Sequence, residues 1–291
     1  MALFPLQAAT LQLLRFRFSW LLLPVFLFAL SMLDNVAWWR ALGMFLLIHG
    51  LLYPASNGYN SFMDRDEDSI GGVQHPMAPT RQLYTVSLLM DIIGFMAAFL
   101  ISLHFAACYA VYILFSRLYS YRGIRLKKYP VTGYLTVVLN QGALLFYMVY
   151  HNAGLPPSPI PWAGPVVSSL LIGAFYPITQ VYQHQQDKKD GVTTLSYLLG
   201  VRGTFVYAGA IYLVAFGVLG WYFQADGHLL YFYVLQAWYL PVIYRFLRWA
   251  WECWNDERAA SFSNTMRMNW LAAACANGGF ISIILYKYFC G

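Results

Sequence analysis

One stretch of the chain carries oxygen-bearing side chains at a regular four-residue spacing. It reads NGYNSFMDRDED from Asn57 to Asp68 and directly follows a long apolar segment. On a helix a four-residue step turns by about 40°, so Asn60, Asp64 and Asp68 are predicted to line one face over about 12 Å. Asn57 extends that face back into the apolar segment. A row of such oxygens at the end of a membrane helix is costly unless it holds cations. Carboxylate and amide oxygens are hard ligands, which suit a Mg²⁺ ion that also binds the phosphates of a substrate.

The same acids are compatible with two other structures. An EF-hand calcium loop that starts at Asp64 needs Gly at its sixth position and Glu at its twelfth, where this chain has Ser69 and His75. The calcium loop is therefore excluded. A solvated acidic loop stays open, although the spacing back to Asn60 favours a helix face.

A second motif repeats the four-residue step later in the chain. Gln183 and Asp187 follow another apolar segment and precede Gly191, Thr194 and Leu195. Alone this motif is weak. Two oxygen-bearing helix ends on the same side of a membrane protein would together form a site for metal ions bridged by a polyanion.

Composition indicates an integral membrane protein. Of the 291 residues, 60% are hydrophobic and only 10% are charged, whereas a soluble domain has about 25% charged residues. The N-terminus lacks a cleavable-signal pattern, and the four cysteines form no CxxC pair. We predict an all-α membrane protein in which nine transmembrane helices surround a central cavity within a single domain over residues 1–291. The predicted spans are 17–33, 41–62, 83–102, 103–119, 131–150, 163–182, 203–223, 228–248 and 269–288.

The distribution of basic residues predicts the topology. With nine spans, all of the 18 Lys and Arg residues except Arg40 and Lys287 fall on the side of the N-terminus. This bias predicts a cytoplasmic N-terminus and places both motifs on cytoplasmic loops. It also requires the third and fourth helices to be separate, with a tight turn near Ser102. The net charge of +6 is therefore interpreted as a topology signal, and no nucleic-acid partner is expected.

The motifs and their order resemble the UbiA superfamily of intramembrane prenyltransferases, which have nine helices and two Asp-rich cytoplasmic motifs. The family's first motif, N-D-x-x-D-x-x-x-D, is matched by Asn60, Asp64 and Asp68, with Ser61 in place of an Asp. Its second motif, D-x-x-x-D-x-x-x-G-x-x-T-L, is matched from Asp187 onwards, with Gln183 in place of the first Asp. The two replacements remove two negative charges.

The resemblance implies which residues act. Two Mg²⁺ ions would be held by Asn60, Asp64, Asp68, Gln183 and Asp187. The catalytic residues would be Asp64, Asp68, Asp187 and Lys127, and Asp66 and Glu67 are the next candidates, for orienting the acceptor or taking its proton. Substrate would contact Asn60, Tyr119, Lys127, Lys128 and Arg122, with Arg125 as an alternative to Arg122. From their own positions, on the face of the first motif and in the fifth span, Asn57 and Asn140 are further candidates for contact with substrate.

The implied activity is Mg²⁺-dependent transfer of an isoprenyl chain. The donor would be a polyprenyl diphosphate and the acceptor an aromatic or other lipophilic molecule, in the lipid of a bacterial inner membrane. The acceptor stays open among a quinone-precursor aromatic acid, a haem or chlorin, a glycerol ether lipid and a pigment precursor. A terpene cyclase or diphosphate-releasing enzyme without an acceptor is the alternative. A transporter is disfavoured, because the acids cluster at one face of the membrane.

Two polar residues inside predicted spans have two interpretations each. Asp91 lies deep in the third span, where it is either functional or hydrogen-bonded to Asn140 or Gln141. His49 either faces the cavity or packs in the interior.

Overall fold

A computed structural model describes residues 5–155 and 159–290, and every regular element within these ranges is a helix. Thirteen α-helices follow one another in the described ranges. They are α1 (Ala8–Leu14), α2 (Leu23–Ser31), α3 (Trp38–Leu47), α4 (Tyr53–Asp64), α5 (Arg81–Ala98), α6 (Leu103–Ser120), α7 (Pro130–Val138), α8 (Leu145–Ala153), α9 (Ala163–Ile178), α10 (His184–Lys189), α11 (Leu195–Ala225), α12 (Leu229–Asn255) and α13 (Phe262–Cys290).

Short segments of another helix type join three pairs of these helices. A 3₁₀ segment, Phe16–Leu22, joins α1 to α2. Two π-helical segments, Ile48–Leu52 and Leu139–Leu144, join α3 to α4 and α7 to α8. Widened π turns often occur at functional sites, and the second of them contains Asn140.

The surface of the helix bundle fits a lipid environment. Among the described residues, four helical stretches are long and apolar enough to cross a membrane, namely Ala8–Ser31, Pro130–Ala153, Leu195–Ala225 and Phe262–Cys290. Large apolar side chains on several other helices also face outwards, and Leu100 and Leu103 are 80% and 72% exposed. So much exposed apolar surface is unusual for a soluble monomer. The chain is therefore a membrane protein, and the count of nine spans stays a prediction.

The predicted turn between the third and fourth spans is confirmed. α5 ends at Ala98 and α6 begins at Leu103. Ser102 caps α6, because its hydroxyl accepts a hydrogen bond of 2.9 Å from the amide of Phe105. The same hydroxyl donates to the side-chain oxygen of Asn152 at the end of α8.

The inter-helix loops gather at two opposite ends of the bundle. At one end, the amide of Ala37 donates to the carbonyl of Ala153 over 2.8 Å, and Lys287 lies 3.1 Å from the carboxylate of Asp34. At the other end, the segments after α4, α6 and α9 meet. The contacts at this second end are those of Lys127 with Asp64 and of Gln183 with Ser69.

An aromatic cluster fixes the middle of the bundle. Phe28 of α2 is almost fully buried. Its ring stacks on that of Phe280 in α13 with centroids 5.0 Å apart, and it packs against Phe146 of α8 at 5.2 Å. Such aromatic pairs add to the stabilisation from burial, so α2 is held between α8 and α13.

Candidate active site

The first motif lies on the last turns of α4. Asn57, Asn60 and Asp64 all line one cavity, as their spacing of three and four residues on one helix face predicts. Asp64 is buried. The side-chain oxygen of Asn60 accepts a 2.7 Å hydrogen bond from the hydroxyl of Ser120 on α6.

The prediction that Asp68 continues this helix face is wrong. α4 ends at Asp64, and Arg65 adopts a left-handed conformation with φ 56°. The backbone therefore turns away from the helix axis before Asp68, whose side chain is exposed and does not line the cavity. Asp66 turns inward instead and lines the cavity with Asp64.

The second motif lies on a separate short helix. The predicted span over 163–182 ends earlier, at Ile178, and α10 begins after Gln183. Two amides of the second motif bind the segment that follows α4. Gln183 donates to the carbonyl of Ser69 over 3.2 Å, and Gln186 donates to the carboxylate of Asp66 over 2.9 Å.

Asp187 presents one unpartnered carboxylate oxygen in the part of the chain that the structure describes. Its Oδ2 is buried and makes no hydrogen bond, and the residue lines the same cavity as Asp64 and Asp66. The structure thus brings one acid of the second motif and two acids of the first motif together, although 123 residues separate Asp64 from Asp187 in the sequence.

The segment after α6 supplies a lysine to these acids. The Nζ of Lys127 lies 2.6 Å from Oδ2 of Asp64. The approach depends on Gly133 in α7, because a Cβ there would lie 2.9 Å from the Cα of Lys127. The guanidinium of Arg125 lies 3.7 Å from Asp64 and pairs more closely with Asp190.

The other predicted contacts with substrate divide into two groups. Tyr119 and Asn140 line the cavity, and the hydroxyl of Tyr119 bonds to that of Tyr176. Arg122 and Lys128 do not line it. Arg122 instead donates to the carbonyl of Met63 at the end of α4, over 2.6 Å.

Sequence reasoning missed Arg15 as a residue of the cavity. It follows α1 in a left-handed conformation with φ 51°, lines the cavity and donates hydrogen bonds to the carbonyls of Gly71 and Asn57 at 3.2 and 3.3 Å. The only signal in the sequence is the pair Arg15 and Arg17 among apolar residues near the N-terminus, and the prediction uses both for topology.

The cavity has a polar end and an apolar extension. Its volume is about 260 Å³. A second pocket of about 70 Å³ adjoins it, since Leu21, Leu22, Ile172 and Phe175 line both. The second pocket is almost entirely apolar, and the stacked rings of Phe28 and Phe280 form part of its wall.

The electrostatics of the acids favour a bound cation. Burial raises the pKa of Asp187 to about 7, against the opposing effect of Lys127. Burial, together with the charge of Asp64, raises the pKa of Asp66 to about 6, and Lys127 and Arg15 oppose that shift. A cation placed among these carboxylates would stabilise their charged forms.

The donor set fits Mg²⁺ shared with a substrate. One oxygen each of Asp64 and Asp187 is buried without a hydrogen bond. In the part of the chain that the structure describes, no group of three or more His, Cys, Asp or Glu side chains could hold a metal ion by itself. Mg²⁺ commonly uses one or two carboxylates and takes its other ligands from water and substrate phosphates, so the incomplete set suits this ion.

Comparison with known proteins identifies the family. The sequence profile of the UbiA prenyltransferase family matches residues 21–271. The chain belongs to this family. No curated protein matches the chain at a significant level.

Solved structures of UbiA homologues share the fold. The homologue from Archaeoglobus fulgidus bound to DMAPP and Mg²⁺ has a TM-score of 0.71 at 18% identity, and the match covers 96% of this chain and 99% of that one. The same homologue bound to GPP and Mg²⁺ has a TM-score of 0.70 at 18% identity, covering 96% and 100%. The apo homologue from Aeropyrum pernix K1 has a TM-score of 0.68 at 17% identity, covering 91% and 97%.

Two buried groups of this UbiA protein lie outside the cavity lining. Asp91 pairs with Arg117 of α6, so the expected hydrogen bond to Asn140 or Gln141 is wrong. His49 bonds to the carbonyl of Ser19 over 3.0 Å and stacks on Phe45. His49 is therefore a packing residue.

Proposed function

We propose that the protein transfers an isoprenyl chain from an allylic diphosphate to a lipophilic acceptor in a Mg²⁺-dependent reaction. One observation carries the proposal: a single cavity is lined by Asp64, Asp66, Asp187 and Lys127 and adjoins an apolar pocket. An allylic diphosphate carries a charged diphosphate and a hydrocarbon chain, so its binding site needs a polar region next to an apolar one.

Asp64 and Asp187, each with a buried oxygen that makes no hydrogen bond, would hold Mg²⁺ at the polar end of the cavity. When bound, the ion supplies positive charge to the diphosphate and so favours its departure. Asn60 and Gln183 would add neutral oxygen ligands beside them. Asp68 is not proposed as a ligand, because it is exposed outside the cavity lining.

Lys127 would bind the diphosphate as its charge develops. When the bond between the allylic carbon and oxygen breaks, the electron pair stays on the leaving diphosphate, and a fixed ammonium group stabilises that charge best where water is excluded. The acceptor then attacks the allylic carbocation and loses a proton. Asp66, with a pKa raised to about 6, is the candidate to take it, whereas Glu67 is exposed.

The apolar pocket would hold the hydrocarbon chain of the donor. Burial of each methylene contributes about 0.8 kcal/mol, so the pocket contributes to donor affinity. It also keeps water from the carbocation, which would otherwise be captured as an alcohol.

The decisive experiment is Mg²⁺-dependent binding of a radiolabelled allylic diphosphate to the purified protein. Asp64→Asn and Asp187→Asn should each weaken binding by about tenfold or more, which is about 1.4 kcal/mol. Asp68→Asn is the matched control and should bind as the unmodified protein does. Equal loss in all three variants, or binding that does not depend on Mg²⁺, would contradict the proposal. Diphosphate release without any acceptor would indicate a cyclase or a diphosphate-releasing enzyme instead.

A further inference from the structure

The helix that carries Asp187 is not fixed by packing of its own side chains. α10 has six residues, and none of them is buried. A helix of this length is not stable by itself in water, and without buried apolar side chains the hydrophobic effect contributes little to its position. The placement of Asp187 therefore depends on the polar contacts of α10.

Two of these contacts attach α10 to the segment that follows α4. Gln183 donates to the carbonyl of Ser69, and Gln186 donates to the carboxylate of Asp66. The side chains of Gln183, Gln186 and Asp66 all line the cavity, where a metal ion or a diphosphate would compete for them. A contact on another side of α10 would hold the helix whatever the cavity contains.

A chain of hydrogen bonds makes such a contact with α11. Nε2 of His184 lies 2.8 Å from the hydroxyl of Ser196, which lies 3.1 Å from the hydroxyl of Thr204. Thr204 donates to the carbonyl of Gly200 over 2.7 Å. Ser196 and Thr204 are fully buried, and none of the four residues lines the cavity. We call these four residues the α10–α11 link.

The single proton of each hydroxyl sets the direction of these hydrogen bonds. Thr204 donates its proton to the carbonyl of Gly200, so its oxygen accepts the proton of Ser196. The oxygen of Ser196 in turn accepts from Nε2–H of His184. The imidazole is therefore the donor that completes the link, and its removal would leave a buried hydroxyl without that donor, which is unfavourable.

The far end of the link is a kink in a long helix. Gly200 has φ 66° and ψ 175° within α11, a conformation that residues with a Cβ rarely adopt. α11 is one of the helices that are long and apolar enough to cross a membrane. The link thus attaches a short helix with no buried residue to a membrane-spanning one.

We propose that His184 is a positioning residue: through the α10–α11 link it holds α10 so that Asp187 lines the cavity before Mg²⁺ binds. The proposal rests on the prenyl-transfer function above and concerns the second motif of its site. His184 precedes Asp187 by three residues, so the two side chains lie about 60° apart around the helix axis. One side of α10 is therefore attached to α11 while the neighbouring side lines the cavity.

The first test titrates Mg²⁺ into the full-length protein in nanodiscs and records binding of the non-ionising donor analogue geranyl S-thiolodiphosphate. His184→Leu should raise the Mg²⁺ concentration at half-maximal binding by about tenfold or more, the usual effect of removing a partner that orients a metal ligand. Binding at saturating Mg²⁺ should be retained, because Asp187 itself is unchanged. A purely structural role would instead reduce the number of binding sites and leave this midpoint where it was.

Three further variants separate the link from a general effect on α10. Ser196→Ala breaks the link in its middle and should shift the midpoint as His184→Leu does, and combining the two should add no further shift. His184→Gln keeps a side-chain N–H and should restore most of the affinity for Mg²⁺. Gln185→Leu is the matched control, since Gln185 lies on α10 beside His184, is exposed and does not line the cavity. It should leave the midpoint unchanged.

Hydrogen exchange tests the link without any metal or donor. The backbone amides of residues 187–191 should exchange faster in His184→Leu than in the unmodified protein, because α10 opens more often when it is not attached to α11. His184→Gln and Gln185→Leu should exchange as the unmodified protein does.

The contrary results are distinct from one another. An unshifted Mg²⁺ midpoint in His184→Leu, an equal shift in Gln185→Leu, or unchanged exchange of the α10 amides in His184→Leu would each overturn the proposal. If the unmodified protein does not bind the donor analogue at any Mg²⁺ concentration, the proposed function is wrong. The exchange measurement then decides by itself whether the link holds α10.

Discussion

Two neighbouring lysines after α6 have different environments. Lys127 lies 2.6 Å from Asp64 and lines the cavity. Lys128 does not line it. Because the two side chains are identical, a difference in activity between the two variants reports the position of the lysine and not its chemical type.

We expect Lys127→Met to lower kcat/KM for the donor by about 100-fold, which is the usual effect of removing one group that stabilises a developing anion. Lys128→Met should stay close to the unmodified enzyme. The measurement is steady-state release of diphosphate at saturating Mg²⁺. Similar losses in the two variants would show that the basic segment acts through its overall charge, and Lys127 would then have no specific role.

At the scale of the element, the end of one helix decides which acids face the cavity. The sequence predicts the face of α4 through Asn57, Asn60 and Asp64 correctly, because a period of 3.6 residues holds wherever the helix continues. It does not predict that the helix stops at Asp64, since the left-handed residue at its end is Arg65 and not the glycine that usually marks a helix end. Extending the four-residue spacing by one more step therefore predicts that Asp68 faces the cavity, whereas the structure places Asp66 there.

The second motif shows the same limit of sequence reasoning. The spacing of Gln183 and Asp187 indicates a helix, and α10 is one. The break after Ile178 was not predicted, because residues 179–183 are compatible with a continuing helix. The contacts that place α10, from Gln183 to Ser69 and from Gln186 to Asp66, join segments more than 110 residues apart, so local periodicity carries no information about them.

An ion pair between a buried carboxylate and a half-buried guanidinium ties α5 to α6. Asp91 of α5 pairs with Arg117 of α6, and the guanidinium of Arg117 lies 3.8 Å from the ring centroid of Tyr59 on α4. Three helices therefore meet at one charge pair. Tyr59 adjoins Asn60 in the sequence, so this contact also positions the first motif.

Removing one partner of this pair should be worse than removing both. Asp91→Leu leaves the half-buried guanidinium of Arg117 without its carboxylate, and we expect a loss below the roughly 3–5 kcal/mol that a fully buried unpaired charge costs. The double variant Asp91→Leu with Arg117→Met should recover most of that loss, because a buried pair replaced by apolar side chains is often nearly neutral. Thermal unfolding in detergent measures both.

An exposed pair provides the control. Arg202 contacts Glu257 at the surface, at 3.7 Å, and Glu257→Leu should leave the melting temperature unchanged. A double variant that is less stable than Asp91→Leu alone would contradict this account of the pair.

At the scale of the whole molecule, charge and hydropathy predict at which end of the bundle a loop lies. They do so better than the spacing of polar residues predicts which side chains line the cavity. The basic loops that the charge count assigns to one side do meet at one end, where Lys127 contacts Asp64 and Gln183 contacts Ser69. The segments assigned to the other side meet at the opposite end, where Lys287 contacts Asp34. Each helix that is long and apolar enough to run from one end to the other places its two flanking loops at opposite ends. Sequence composition is enough to predict such helices.

The same partition predicts how the protein lies in the membrane. If the basic end is cytoplasmic, Cys290 at the end of α13 lies outside. Cys290 is exposed, whereas the other three cysteines are buried or half-buried. A membrane-impermeant maleimide should therefore label Cys290 in intact bacterial spheroplasts. The variant Asp68→Cys, made in a Cys290→Ser background, should be labelled only after permeabilisation, because Asp68 lies at the site end. Labelling of Asp68→Cys, and not of Cys290, in intact spheroplasts would invert the topology and place diphosphate binding on the outer face.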